Sequence, residues 1–342
     1  MLPDQFKVCV RCLTYNHSPY IEDTLQGFVS QQTTFPFLFV VVDDAYSDDN
    51  AIVINRFLQN NFDPIGDYGY VVEENDNAII SEGRSKANSN CFFVFYSLKF
   101  NHHRKGIDKE KYFEKWMDVP FQAICEGDDY WIDQKKLQKQ VDLMEEDTQV
   151  GLCYTDAKVY YQTEKRFGKS GDVEFKGLRD MFKNNPIMTL TTMFKTDLLY
   201  EYCKDIQPST KDWLSGDYPF WLWLAAHSKV KFINEITSVY RYLDNSASHS
   251  TDINKQIAMY ISDYDIKSYF IDRIFPDDIG LKNFIEDRKN LRIAGVYDKF
   301  YDRKNYVKYS KMIKNRSVKD SFKLLLLSFP PVYYIRKHFK QK

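Results

Sequence analysis

The stretch FPFLFVVVDD, Phe35–Asp44, decides the fold class. Its uncharged run meets no polar residue until it stops at two aspartates. A strand with one face in water alternates apolar with polar side chains, whereas a strand covered on both faces does not. The run therefore predicts a strand buried in a parallel sheet, with an acidic pair at its carboxyl end. Upstream, Phe6–Leu13 is a second β-rich run and leads into the loop Thr14–Pro19. YIEDTLQGFVSQQ follows, with apolar residues at Tyr20, Ile21, Leu25, Phe28 and Val29, a helical spacing. Downstream, NAIVINRFLQNN reads as a helix and GYVVEEN as a short strand. Strand and helix alternate, which predicts an α/β fold with right-handed crossovers.

Further along, EGRSKANSNCFFVFYSLKF is expected to be helical, and Asn101–Asp118 reads as an inserted, charged surface excursion. Phe121–Cys125 is another buried strand and QKKLQKQVDLMEED an amphipathic helix. VGLCYTDAKVYY and TLTTMFK read as strands, GDYPFWLWLAAHSK as an apolar helix, and VKFINEITSVYRYL as two short strands. Beyond residue 250 the patterns are helical. The expected division is a sheet-containing domain, 1–250, followed by a helical region, 251–342.

Composition excludes several classes. Lys and Arg number 47 against 48 Asp and Glu, so no basic footprint marks a nucleic-acid partner. No apolar run is long enough to span a bilayer, and the first residues carry no signal-peptide pattern, so a cytoplasmic protein is expected. Cys9 and Cys12 form a C-x-x-C, but residues three apart on a strand point to opposite faces, so a shared metal is not expected.

The second informative stretch is AICEGDDYWID, Ala123–Asp133. Four acids, Glu126, Asp128, Asp129 and Asp133, fall within eight positions directly after a buried strand. Crowded carboxylates repel and cost free energy when buried, which points to a bound cation. Ligands in open α/β sheets sit beyond the carboxyl ends of the strands, where this cluster and Asp43–Asp44 both lie. Oxygen-only ligands favour Mg²⁺ or Mn²⁺, which usually leave coordination positions for phosphate. The competing reading is a solvated turn, with Asp133 as N-cap of a helix over Gln134–Glu146. Asp217, after Gly216, reads either as a carboxylate satisfying helix N–H groups or as a functional group. Trp131 reads as a sugar-stacking or a core residue, and Trp221 and Trp223 as core. Neither G-x-x-x-x-G-K-[ST] nor G-x-G-x-x-G follows the first strand.

Four motifs in order, VCVRCLTYNHSPYIEDTLQGFVSQ, FLFVVVDDAYSDD, AICEGDDYWIDQKKLQKQV and SGDYPFWLWLA with VYRYLDNSASHS, resemble the family 2 glycosyltransferases of bacterial surface-polysaccharide type. The resemblance spans roughly residues 6–250. It implies the GT-A fold, a Rossmann-like, mostly parallel sheet flanked by helices. It implies a nucleoside-diphosphate sugar donor, Mn²⁺ or Mg²⁺, and inverting transfer to a glycan or lipid-linked hydroxyl. By resemblance, Asp129, with Asp128 beside it, holds the metal on the donor pyrophosphate. Asp44, with Asp43, contacts the nucleotide base, and Thr14 and Tyr15 border its pocket. Asp217 matches the catalytic base. Arg241 and His249 approach the phosphates or metal, and Arg84 or Lys86 stands in for the family's phosphate-side arginine. The alternatives are a sugar nucleotidyltransferase, against which the missing glycine-rich loop counts, and a catalytically silent nucleotide-sugar-binding module.

Residues 311–342 carry nine Lys or Arg against one acid, Asp320, around LLLLSFPPVYYI. The segment reads either as a peripheral contact to an anionic membrane at the inner face of the cell membrane, or as a packed terminal helix.

Overall fold

The computed structural model describes residues 5–44, 49–65, 69–168, 174–244, 251–316, 318–331 and 333. The chain forms two compact units: residues 1–175, 186–205 and 227–243, and residues 176–185, 206–226 and 244–342. The sequence was expected to divide once, at residue 250. The second unit in fact also draws on two earlier segments.

The first unit opens with β1 (Val8–Thr14), α1 (Ile21–Val29), β2 (Phe37–Asp43) and α2 (Asn50–Asn61). β3 (Phe62–Pro64), β4 (Val71–Glu74), β5 (Ala78–Ser85) and β6 (Cys91–Leu98) follow. Next come α3 (Lys111–Glu114), β7 (Phe121–Ile124), β8 (Tyr130–Trp131), α4 (Lys136–Glu146), β9 (Val150–Tyr161) and β10 (Arg166–Phe167). In the second unit is α5 (Leu178–Met181); the first resumes with β11 (Thr192–Lys195) and α6 (Thr196–Ile206). α7 (Asp217–His227) starts in the second unit and leads into β12 (Lys229–Tyr242).

Among the described residues the strands join one sheet, ordered β3-β5-β6-β2-β1-β7-β11-β9-β12-β8, with β4 on β5 and β10 on β9. The central run β6-β2-β1-β7 is parallel, and β12 runs parallel to β9. Alternate residues of the central strands feed two cores. Val8, Val10, Cys12, Phe39 and Val41 pack with Leu25 and Phe28 of α1, Ile54 of α2 and Val141 of α4. Cys9, Leu38, Val40 and Val42 pack on the other face with Tyr112, Phe113 and Trp116. Both faces are covered, which is why Phe37–Val42 must be apolar throughout. The two cysteines of the C-x-x-C diverge into these separate cores. Burial pushes the Cys9 thiol up to about 12 and the Cys12 thiol well above its ordinary value.

Four expectations are corrected. EGRSKANSNCFFVFYSLKF is not helical: the second half of β5 and all of β6 form here, with the mostly polar residues 86–90 as the turn. The run CFFVFYSL has no 3.6-residue period and is buried on both faces, the signature of a strand. VKFINEITSVYRYL belongs to a single strand, β12, with register breaks near Ile233, Ile236 and Ser238. The Asn101–Asp118 segment is a surface excursion only in part: most of its residues are exposed, but His102, Tyr112, Phe113 and Trp116 are buried. Asp133 does not cap the helix directly. α4 starts at Lys136, and the Asp133 carboxylate accepts the backbone N–H of Lys135 (2.8 Å) in the turn before it.

The second unit is helical: α8 (Ile253–Ile274), α9 (Ile279–Lys299), α10 (Arg303–Met312) and α11 (Val318–Ser328). Asp252, Asp278 and Asp302 cap three of these helices, each accepting a backbone N–H three residues on. Trp221 and Trp223 of α7 are buried, as expected of core residues. No helix among the described residues is long and apolar enough to cross a membrane.

One buried charge has a measurable consequence. Lys136 of α4 is fully buried, donates to Gln140 Oε1 (2.6 Å) and lies 4.3 Å from the ring centroid of Trp131. Burial pulls its pKa down to about 8, against about 10.4 in an unfolded chain. The charged form is thus the disfavoured one in the fold. The penalty is full below pH 8, on the order of 3 kcal/mol, and is lifted as pH rises from about 8 to about 10.4. Lys136→Met should therefore show its most favourable stability relative to wild type near pH 7, and lose that advantage by about pH 10. Urea unfolding of both proteins across this range reads the difference; a pH-independent difference would mean that burial leaves the lysine's pKa where it is in the unfolded chain.

Candidate active site

The two acidic clusters flank one strand end. β1 lies between β2 and β7, and Thr14 pairs with Asp43 across the parallel ladder. On the other side the N–H of Gly127 donates to the Leu13 carbonyl (3.0 Å). With strands about 4.8 Å apart, the backbones of the two clusters lie roughly 10 Å from each other. The acidic loop approaches β1 too closely for a side chain at residue 127: a Cβ there would stand 2.4 Å from Thr14 Oγ1 and 2.6 Å from Thr14 Cβ. α1 holds the loop from below, as the Thr24 hydroxyl donates to the carbonyls of Asp129 (2.6 Å) and Gly127 (3.1 Å). Asn50, at the start of α2, donates through Nδ2 to both Thr14 Oγ1 and Asp43 Oδ1, each at 3.0 Å. Tyr15 is exposed, and Asn16 takes a left-handed conformation with φ of 56°. In this turn His17 lies with Nδ1 3.3 Å from Thr14 Oγ1 and Nε2 3.8 Å from Asp128 Oδ2.

Glu126, Asp128 and Asp129 each offer one carboxylate oxygen, all within 4.8 Å of one another. Asp129 is buried, Asp128 partly buried and Glu126 exposed. Burial is the first cause that holds the Asp129 carboxyl well above the usual carboxylate range, followed by repulsion from Asp128; the N–H of Arg241, donating to Asp129 Oδ1 (2.7 Å), opposes them. These residues fit a hard divalent cation: the donors are all oxygen, they converge, and their mutual repulsion is what such a charge relieves.

The other expected site residues fall in different places. Arg241, on β12, is buried, and its guanidinium is committed to protein acceptors. Nε donates to the Asp128 carbonyl (2.8 Å), Nη1 to Gln162 Oε1 (2.9 Å) and Nη2 to Asp23 Oδ2 (2.7 Å). Asp44 is likewise engaged. Its Oδ1 accepts the N–H of His102 (2.6 Å), and its Oδ2 accepts the N–H of His103 (3.2 Å) and Lys109 Nζ (3.0 Å). Arg84 lies at the opposite end of the sheet. It pairs with Phe92 at the start of β6, whereas Asp43 pairs with Ser97 near its end, about 17 Å further along. Because this segment is a strand and not a helix, Arg84 points its register away from the acidic loops. Lys86 follows it there, with Nζ on the carbonyls of Gln59 and Asn60. Trp131 is core: it is buried, and its Nε1 donates to the Leu190 carbonyl (2.8 Å). Asp217 belongs to the second unit, where its Oδ1 accepts the Ser215 hydroxyl and the Tyr218 N–H, both at 2.7 Å. His249 lies outside the described residues. Sequence reasoning assigned no role to His17, Asn50 or Thr24. The Asn16 turn hints at the first, and nothing local marks the other two.

No model of a known protein family matches the chain. A stretch of 150 residues, 44% of the chain, is 25% identical to the uncharacterized protein Rv1520 of Mycobacterium tuberculosis, and equally to Mb1547 of Mycobacterium bovis. The match covers 35% of the length of those relatives. Among solved structures, the mannosyltransferase PcManGT from Pyrobaculum calidifontis, in complex with GDP-Man and Mn²⁺, is similar over 96% of this chain and 82% of its own, with a TM-score of 0.52 and 13% identity. S. aureus TarS 1-349 in complex with UDP-GlcNAc aligns over 90% of this chain and 84% of its own, with a TM-score of 0.48 and 15% identity. The likeness to PcManGT shows the fold: a GT-A-type α/β sheet flanked by helices, with a helical C-terminal region.

The Asp44 contacts yield a test. A buried carboxylate holding two backbone N–H groups and a lysine contributes to stability whether or not a ligand binds. Asp44→Ala should lower stability by about 1–3 kcal/mol, because the His102 and His103 donors lose their acceptor. Chemical denaturation of the ligand-free protein measures it. Unchanged stability would mean that the carboxylate does not hold the 101–118 segment.

Proposed function

We propose that the protein is a metal-dependent glycosyltransferase that moves a sugar from a nucleoside-diphosphate sugar to a hydroxyl of a glycan or lipid-linked acceptor in surface polysaccharide synthesis, at the inner face of the cell membrane. The observation that carries this reading is the buried Asp129, clustered with Asp128 and Glu126 beside the end of β1 and one strand from Asp43. It stands at the carboxyl ends of parallel strands, where such sheets bind ligands. The fold shared with PcManGT, whose complex contains GDP-Man and Mn²⁺, supports it.

Asp129, Asp128 and Glu126 would hold Mn²⁺ or Mg²⁺, which supplies Lewis-acid stabilisation of the leaving diphosphate. Thr14, Tyr15 and Asp43 border the nucleotide side, and Asp44 acts there by fixing the 101–118 segment. Arg241 keeps the acidic loop in place. Asp217 takes the proton from the acceptor hydroxyl as that oxygen attacks the anomeric carbon. A single displacement inverts the anomeric centre and needs no covalent nucleophile.

The first test is thermal stabilisation by a panel of nucleotide sugars, with Mn²⁺ and with EDTA. Stabilisation by at least one donor is expected only with the metal present. Asp129→Asn keeps an acceptor for the Arg241 N–H and should fold, yet lose the metal-dependent stabilisation. Stabilisation that survives EDTA in wild type would remove the metal from the reading. Asp217→Asn should keep donor binding and lower turnover by about 10²-fold or more. Near-normal turnover would return Asp217 to its local role at the start of α7. Donor binding without transfer to any acceptor would identify a silent binding module instead.

A further inference from the structure

The outer face of α11 is apolar and bare. Val318 is 88% exposed, Phe322 61%, Leu325 70% and Leu326 42%, and Phe329, just past the helix end, is 62% exposed. Their spacing places all five within an arc of about 100°. The opposite side of the helix is the packed one. Leu327 is buried with Ala294, Tyr306 and Tyr333, and Leu324 packs against the same cluster. Polar contacts fix the helix in this orientation: Arg303 Nη2 donates to the Ser328 carbonyl (2.9 Å), and Lys323 Nζ lies 3.2 Å from Asp298 Oδ2. The apolar stripe is thus held outward by a well-packed inner face. Contiguous exposed apolar side chains of this size mark an interaction surface.

We propose that this face of α11 is an interfacial membrane-binding surface for anionic lipid. Charge selects the occupant. Residues 311–342 carry nine Lys or Arg against Asp320 alone, a net of +8. An apolar stripe within a strongly basic segment matches the boundary between anionic headgroups and acyl chains. A second copy of the chain would bring the same net positive charge against itself. Five side chains also fall short of the roughly 800 Å² per partner of a stable protein interface. Phe322, Leu325 and Phe329 would enter the acyl boundary, and the basic excess of the segment's sequence favours anionic over neutral headgroups. The inference does not depend on the transferase reading, because it involves neither the acidic loop nor a nucleotide.

The test is co-sedimentation of the full chain with phosphatidylcholine vesicles, with and without phosphatidylglycerol, at low and high salt. Wild type is expected to bind the anionic vesicles at least about tenfold better than the neutral ones, and to weaken as salt rises. The variant Phe322→Ser/Leu325→Ser/Phe329→Ser alters only exposed side chains, so its melting temperature should match wild type. Its affinity for anionic vesicles should fall by about tenfold or more. Absent or lipid-charge-independent binding of wild type would overturn the proposal, as would undiminished binding of the folded triple variant. So would a wild-type dimer in sedimentation velocity that the triple variant dissociates, which would identify the face as a contact between copies. Metal-dependent stabilisation by nucleotide sugars, measured on the same two proteins, tests the transferase reading separately.

Discussion

The Arg241 guanidinium is the hub on which the acidic loop depends. Its three nitrogens reach the Asp128 carbonyl, Gln162 and Asp23, and its own backbone N–H reaches the Asp129 carboxylate. The guanidinium carbon lies 4.9 Å from the ring centroid of Tyr20 and 5.0 Å from that of Tyr130. One residue therefore joins α1, the acidic loop, β8 and the turn after β9. A planar, permanently charged fork can span these separated acceptors, whereas the three donors of a lysine all radiate from a single nitrogen. The arrangement also places a fixed positive charge near the Asp129 carboxylate, where it offsets part of the repulsion from Asp128 and Glu126. Gly127 completes it from the other side by letting the loop lie flat against Thr14.

The central sheet was legible in the sequence because burial on both faces leaves a mark that needs no tertiary knowledge. Phe37–Val42 had to be apolar at every position, and its two aspartates marked where the chain leaves the core. The same rule, applied to Cys91–Leu98, would have identified β6. The polar residues before it were read as the start of a helix when they form a turn. The long β12 was read as two strands because its register breaks, near Ile233 and Ile236, place polar residues where a regular ladder would need apolar ones.

The site was legible in part. The acidic loop stood out by composition alone, and its neighbour across β1 followed from the sheet order. What could not be read was which groups the protein uses on itself. A sequence lists Asp44 and Arg241 as charges available to a ligand, but tertiary contacts commit both to the protein. Those partners lie far away along the chain, His102 and Lys109 for one, Asp23 and Gln162 for the other. Arg84 shows the complementary failure. Its residue type fitted the role, but strand direction carries it to the far end of the sheet.

The cysteines on β1 carry a consequence for following the fold in time. Thiolates, and not thiols, react with alkylating reagents. Cys9 and Cys12 are three residues apart yet belong to opposite layers, and burial suppresses ionisation of both. Neither can be modified until its own layer parts from the sheet. Cys203, exposed on α6, supplies an internal reference for reagent strength. The rates at which the two buried sulfurs become accessible thus clock the opening of the helical layer and of the 101–118 layer independently, with no label introduced into the chain.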